Sequence, residues 1–172
     1  VVGKSGSVGK PFLHNEMQVV DDAGNPVKPG QVGEVVLAGP TVMKGYWNNP
    51  EATREAIQGK WFRTGDLATV DEEGYFYIID RKKDMIISGA ENIYPKEIEN
   101  VLYEHPKILE VAVIGVPDEK WGESVLALIV LRPGETMSEE EVIDFCKGRI
   151  ASYKKPKYVR FVSALPKNPS GK

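Results

Sequence analysis

Short apolar runs separated by turn residues open the chain. Residues 17–20 are followed by Asp21, Asp22, Ala23, Gly24 and Asn25. That cluster tolerates positive φ, so the pair reads as a strand and a hairpin-like turn. Residues 33–38 read as a second strand and residues 61–67 as an aromatic one. Asn49, Pro50 and Glu51 predict a helix start: a side-chain cap, a proline at the first helical position and an acid in the first turn. Gly59 closes that helix. Strands, turns and one small helix predict a β-rich region able to close into a distorted barrel.

The texture changes at Asp80, Arg81, Lys82, Lys83 and Asp84, five charges directly after the apolar strand 75–79. Pro95 opens a helix that places Ile98, Val101, Leu102 and His105 on one face. Residues 111–114 and 125–131 are nearly all apolar, the pattern of strands buried on both faces. Ser138 and Glu141 make a capping-box pattern. The helix they start carries Val142, Phe145, Cys146 and Ile150 on one stripe, which makes Cys146 a core residue. Residues 158–162 form a last short strand. The expected fold is α+β: residues 1–79 end a β-rich subdomain, and residues 80–172 form a small α+β domain. There is no internal repeat or low-complexity segment.

Composition narrows the function. The 172 residues are 41% hydrophobic and 27% charged, enough for a real core. A net charge of −3 speaks against a general nucleic-acid binder, which shows a basic face. One cysteine makes no internal disulfide, no Cys/His cluster has metal-ligand spacing, and His14 and His105 read as structural or exposed. No apolar run approaches the roughly 20 residues that span a bilayer. The amino terminus shows no signal-peptide pattern, and both ends read as cuts through a longer polypeptide.

Each candidate motif has a plain alternative. Gly3, Lys4 and Ser5 lack the following helix of a phosphate loop, and that reading is rejected. Asp66 sits just after a glycine turn, where a carboxylate accepts hydrogen bonds from the vicinal hydroxyls of a ribose. Alone, it reads first as a turn aspartate bonded to its own backbone. The 80–84 charge run is either a solvated turn or a hinge, with Arg81 a donor fork for ribose or phosphate oxygens. Ser88 to Pro95 connects a strand to a helix, and Gly89 allows close approach of backbone or ligand. Trp121 reads as a packing anchor. Lys172 is either a loose end or a catalytic cation on a mobile loop.

The order of these segments decides between the readings. Gly6 to Pro11, Gly33 with Glu34, Gly45 to Trp47, Phe62 to Asp66, Asp80 with Arg81, Gly89 to Pro95 and Pro169 to Lys172 follow one another along the whole chain. This order and spacing resemble the adenylate-forming superfamily: acyl- and aryl-CoA synthetases, firefly luciferase and the adenylation domains of peptide synthetases. The resemblance implies the carboxyl-terminal part of an ATP-dependent acyl-CoA synthetase. The Asp80 to Asp84 and Glu91 to Pro95 segments most resemble those of fatty and aryl acyl-CoA synthetases, and a fatty acid–CoA ligase is the expected kind. Such an enzyme forms an acyl-adenylate and then an acyl-CoA, using ATP with Mg2+, and CoA. By the same resemblance Asp66 and Arg81 hold ATP or AMP, Asp80 is the hinge, Ser88 and Gly89 line the CoA path, and Lys172 is catalytic. The resemblance further implies a missing amino-terminal domain of the same polypeptide, inactivity of this chain alone, and a cytoplasmic enzyme with membrane-surface attachment left open. Where many relatives carry a second glycine this chain has Ala90, which narrows the expected CoA path. Two other readings stay open: a non-catalytic module binding nucleotide, CoA or a protein partner, and an adenylation domain loading a carrier protein.

Overall fold

The computed structural model describes residues 3–167, so Lys172 and the Pro169 to Lys172 segment lie outside the described residues. The chain divides into two compact units, Val1–Lys83 and Asp84–Lys172. The division falls four residues beyond the boundary expected at residue 80, because Asp80 and Arg81 extend the last strand of the first unit.

In the first unit a five-stranded antiparallel sheet holds β1 (Glu16–Val20), β2 (Gly33–Ala38), β3 (Ile57–Gln58), β4 (Trp61–Val70) and β5 (Phe76–Arg81). The long β4 is the hub, pairing with β2, β3 and β5. Two register shifts bend it. Three residues of β4 (Thr64, Gly65, Asp66) stand opposite the single Val35 of β2, and β5 carries one extra residue at Ile79. Such bulges increase local twist, and the sheet curls into a half-barrel. Val19, Val35, Ala68 and Phe76 form its core, with Met17, Leu37, Val70 and Ile78 packed against them. Between β2 and β3 lies α1 (Pro50–Ala56), capped as expected by the Asn49 side chain, which accepts from the Ala52 N–H at 3.1 Å.

A tight turn before β5 is organised by Asp71. Its Oδ1 accepts from the backbone N–H groups of Glu73 and Tyr75, and its Oδ2 accepts from Lys4 Nζ at 2.8 Å. The Lys4 hydrogen bond, reinforced by the Tyr75 N–H, holds the Asp71 carboxyl down at about 2. A depressed carboxyl stabilises the fold above its unfolded value and loses that contribution as pH falls through the folded value. The unfolding midpoint of the chain should therefore exceed that of an Asp71→Asn variant above pH about 4, and the gap should close toward pH 2. A pH scan of thermal unfolding measures this; a gap that stays constant contradicts the assigned ion pair.

The second unit packs two helices on a five-stranded sheet. Its strands are β6 (Ile86–Ser88), β7 (Glu91–Ile93), β8 (Ile108–Asp118), β9 (Gly122–Leu131) and β10 (Tyr158–Phe161). The helices are α2 (Pro95–Tyr103) and α3 (Glu139–Cys146). β9 is central, antiparallel to β8 and parallel to β10. Ile98 and Leu102 of α2 and Val142 and Cys146 of α3 are fully buried against Val111, Val113, Val125, Ala127, Ile129 and Val159. Burying each large aliphatic side chain contributes about 1.5–3 kcal/mol. The capping box at Ser138 forms with both reciprocal bonds. Burial raises the Cys146 thiol, in keeping with a core residue. α3 ends at Cys146, so Ile150 packs on the core from the following loop and not from the helix.

Two local expectations change. β8 is buried on one face only: it is an edge strand, and Leu109 and Ile114 remain exposed because both helices cover the opposite side. The central β9 instead buries Val125, Ala127 and Ile129 on one face and Ser124 and Val130 on the other. The Ser88 to Pro95 connector is a hairpin of β6 and β7, turned by Gly89 and Ala90. Among the described residues no helix is long and apolar enough to cross a membrane.

Candidate functional site

In the first unit the bulge of β4 lifts Thr64, Gly65 and Asp66 out of regular pairing. Thr64 closes the bulge from inside: its Oγ1 donates to the Val35 carbonyl at 2.8 Å and accepts from the Asp66 N–H at 3.1 Å. Gly65 adopts φ +74°, a left-handed conformation that favours glycine. Asp66 then faces Arg81 across the β4–β5 ladder, and Arg81 Nε donates to Asp66 Oδ1 at 3.2 Å. Arg81 also lines a cavity of about 450 Å³ with Thr64, Gly65, Lys82 and Lys83. The pair is half-exposed, and each partner keeps hydrogen-bonding capacity: a second carboxylate oxygen on Asp66 and further N–H donors on Arg81. Asp80 pairs with Leu67 in the same ladder, and its Oδ1 accepts from the Arg81 N–H at 2.8 Å.

Below this cavity lies Glu34, 6% exposed and the only buried charged residue among those described. Its Oε2 accepts from Arg63 Nη2 at 2.6 Å, Arg63 Nε at 3.2 Å and Lys82 Nζ at 3.2 Å. Its Oε1 accepts from the Gly65 N–H at 3.3 Å. Burial pushes the Glu34 carboxyl up, but hydrogen bonds from Arg63 and then Lys82 outweigh it and hold the group below its usual value. Lys82 is further held by Asp22 at 2.7 Å, and that bond raises its ammonium pKa.

The second unit carries its own cavity, about 530 Å³, lined by Ser88, Glu91, Trp121, Tyr153, Lys155 and Lys157 among others. Gly89, at φ +65°, is the first residue of the β6–β7 turn, and its N–H donates to the Trp121 carbonyl at 2.7 Å. A Cβ added there would stand 3.0 Å from Trp121 Cε3, so the indole covers the turn directly. Trp121 stays 47% exposed. Its loop is fixed by Asp118, whose Oδ1 accepts from the N–H groups of Lys120 and Trp121. Asp118 Oδ2 accepts from Lys157 and from Ser124 Oγ. These bonds, Lys157 first, hold the Asp118 carboxyl far below the carboxylate range. Aromatic faces beside lysines suit a flat ring system bearing phosphates.

The structure thus brings Asp66 and Arg81 together, with Asp80 adjacent, and sets Ser88 and Ala90 in the lining of a second cavity, with Gly89 between them in the β6–β7 turn. Lys172 lies outside the described residues. The sequence reading passed over Glu34, Arg63 and Lys82, and over Lys155 and Lys157. A lone acid in the apolar run Gly33–Ala38 was a usable signal for Glu34, and the clustered lysines before β10 for the others. Trp121, expected as a packing anchor, covers the Gly89 turn but stays 47% exposed and lines a cavity. No group of three or more His, Cys, Asp or Glu able to hold a metal occurs among the described residues.

Comparison with known proteins gives a consistent picture. Residues 2–47 match the family described as AMP-binding enzyme, and residues 97–172 match the AMP-binding enzyme C-terminal domain. The chain is 49% identical over all of its 172 residues to a feruloyl-CoA synthase from an Amycolatopsis species, covering 35% of that protein. It is 50% identical over 169 residues to the long-chain-fatty-acid–CoA ligase FadD13 of Mycobacterium tuberculosis, covering 33% of it. Among solved structures, O-succinylbenzoate coenzyme A synthetase (MenE) from Bacillus subtilis in complex with AMP superposes with a TM-score of 0.91 at 42% identity. That match covers 98% of this chain and 34% of the synthetase. The chain spans about a third of the length of these relatives.

Proposed function

Because this chain belongs to the AMP-binding, adenylate-forming enzymes of the acyl- and aryl-CoA ligase kind, we propose that it is the carboxyl-terminal part of an AMP-forming acid–thiol ligase. The observation that carries this reading most is the Asp66–Arg81 pair across the β4–β5 ladder, its Arg81 lining a cavity, in a chain half identical to a CoA ligase. Asp66 accepts from the ribose hydroxyls of ATP and Arg81 donates to the ribose or phosphate oxygens. A carboxylate oxygen of the acid attacks the α-phosphorus of ATP, the bond to pyrophosphate breaks, and an acyl-adenylate forms. The CoA sulfur then attacks the acyl carbonyl, loses its proton, and expels AMP.

Lys172 supplies the cation that offsets charge during the first step. Ser88 and Gly89 border the path of the CoA arm in the second step, with Trp121, Tyr153, Lys155 and Lys157 receiving its nucleotide end. Mg2+ arrives on the ATP phosphates in this reading. Asp80 is the hinge in this reading. A preceding large domain supplies the phosphate loop, the adenine pocket and the acid pocket, and the chain alone is expected to show no ATP–pyrophosphate exchange.

A fatty acid is the substrate class proposed. In a ligase containing this chain, ATP, CoA and hexadecanoic acid should yield AMP, pyrophosphate and hexadecanoyl-CoA. Turnover with aromatic acids alone moves the substrate to the aryl class. Formation of ADP and phosphate in place of AMP overturns the proposal.

A further inference from the structure

Glu34 stands out from the rest of the first unit. A carboxylate in the apolar strand β2 costs desolvation, and removing a partner from a buried charge costs more than an exposed pair contributes. Two of the three described partners of this carboxylate belong to the proposed nucleotide cavity, and the third adjoins the bulge. Gly65 and Lys82 line the cavity directly, and Arg63 immediately precedes the bulge. The Gly65 N–H bond sets the height of the bulge from below, while Thr64 ties the bulge to Val35 from the side. Asp66 follows Gly65 directly, so the backbone that carries its carboxylate is tied to this anchor. Lys82, next to Arg81, donates from its ammonium to Asp22 at 2.7 Å and Glu34 at 3.2 Å.

We infer that Glu34 is a positioning residue for ribose recognition, holding the Thr64–Gly65–Asp66 bulge and Lys82 so that Asp66 and Arg81 meet the ribose hydroxyls in a fixed geometry. This rests on the ribose reading of Asp66. Glu34 touches no substrate. Both of its oxygens accept, so an amide in its place can keep the Arg63 side or the Gly65 side but not both. An aspartate keeps the charge but is one methylene short of the bulge.

The test is adenylation by a ligase containing this chain, read as the ratio of kcat/KM for ATP to that for 2′-deoxyATP. Asp66→Ala is expected to collapse the ratio toward unity. Glu34→Gln and Glu34→Asp should each lower it about tenfold, through loss of geometry at an intact Asp66, with KM for the carboxylic acid unchanged. A purely structural glutamate would reduce the fraction of active enzyme and leave the ratio where it was. Should neither Glu34 variant fold, Arg63→Lys loosens the same carboxylate without removing it and must lower the ratio for the inference to stand. An unchanged ratio in the Glu34 or Arg63 variants beside a collapsed one in Asp66→Ala sinks the Glu34 role alone. An unchanged ratio in Asp66→Ala sinks the ribose reading beneath it.

Discussion

Replacing Gly89 by valine is expected to slow thioester formation about a hundredfold while leaving acyl-adenylate formation within about twofold. The argument is local. Gly89 holds φ +65°, where an L-residue costs roughly 1–2 kcal/mol and a β-branched one more. Its first added carbon would meet the Trp121 ring at 3.0 Å, so either the indole or the β6–β7 turn must give way. The Trp121 backbone is held, because its N–H and that of Lys120 are bonded to Asp118, so relief comes from a swing of the half-exposed indole or from the turn itself. Either movement displaces Ser88 and the lip of the second cavity, the proposed path of CoA. The turn belongs to the second unit and the Asp66–Arg81 pair to the first, so adenylation is expected to proceed. Pyrophosphate release reports the first step, and acyl-CoA formation from supplied acyl-adenylate reports the second. Equal loss in both contradicts a CoA role for this turn.

Lys172→Ala is the mirror image. Removing a cation aimed at developing negative charge costs about 10²–10³ in rate, and the loss should fall on adenylation. Thioester formation from supplied acyl-adenylate should be largely spared, since the charge that Lys172 offsets has already left with pyrophosphate. Rapid-quench measurement of each half-reaction separates the two, and a matched drop in both would remove Lys172 from the proposed role. Together the variants assign the two steps to opposite ends of this chain's second half.

The sequence made some of this legible for identifiable reasons. Chain-local chemistry was readable: the Asn49 cap with Pro50, the Ser138 and Glu141 capping box, and the strand Gly33–Ala38 each follow from a few adjacent residues. The hairpin at Ser88 to Glu91 was not, because its strands are three residues long and Gly-Ala is a weaker hairpin turn signal than Asn-Gly. The site was half legible. Asp66 and Arg81 could be singled out, but their contact depends on a ladder register that two bulges shift, and no spacing rule reports a bulge. Glu34 was hidden for a related reason: its partners Arg63, Gly65 and Lys82 lie 29 to 48 residues away and meet it only once β2, β4 and β5 are aligned.

The bulge in β4 has a bearing on how such chains can vary in length. Alternate residues of a strand face opposite sides, so a shift of one position exchanges inside for outside. Three residues of β4 span the place of one in β2, an excess of two, which leaves the alternation on both flanks in step. Losing a single residue between Arg63 and Leu67 would make the excess odd and turn the buried Leu67 and Ala68 out of phase with Arg63. Natural or engineered insertions and deletions in this segment should therefore come in pairs, a parity rule that sequences of related ligases can be searched for.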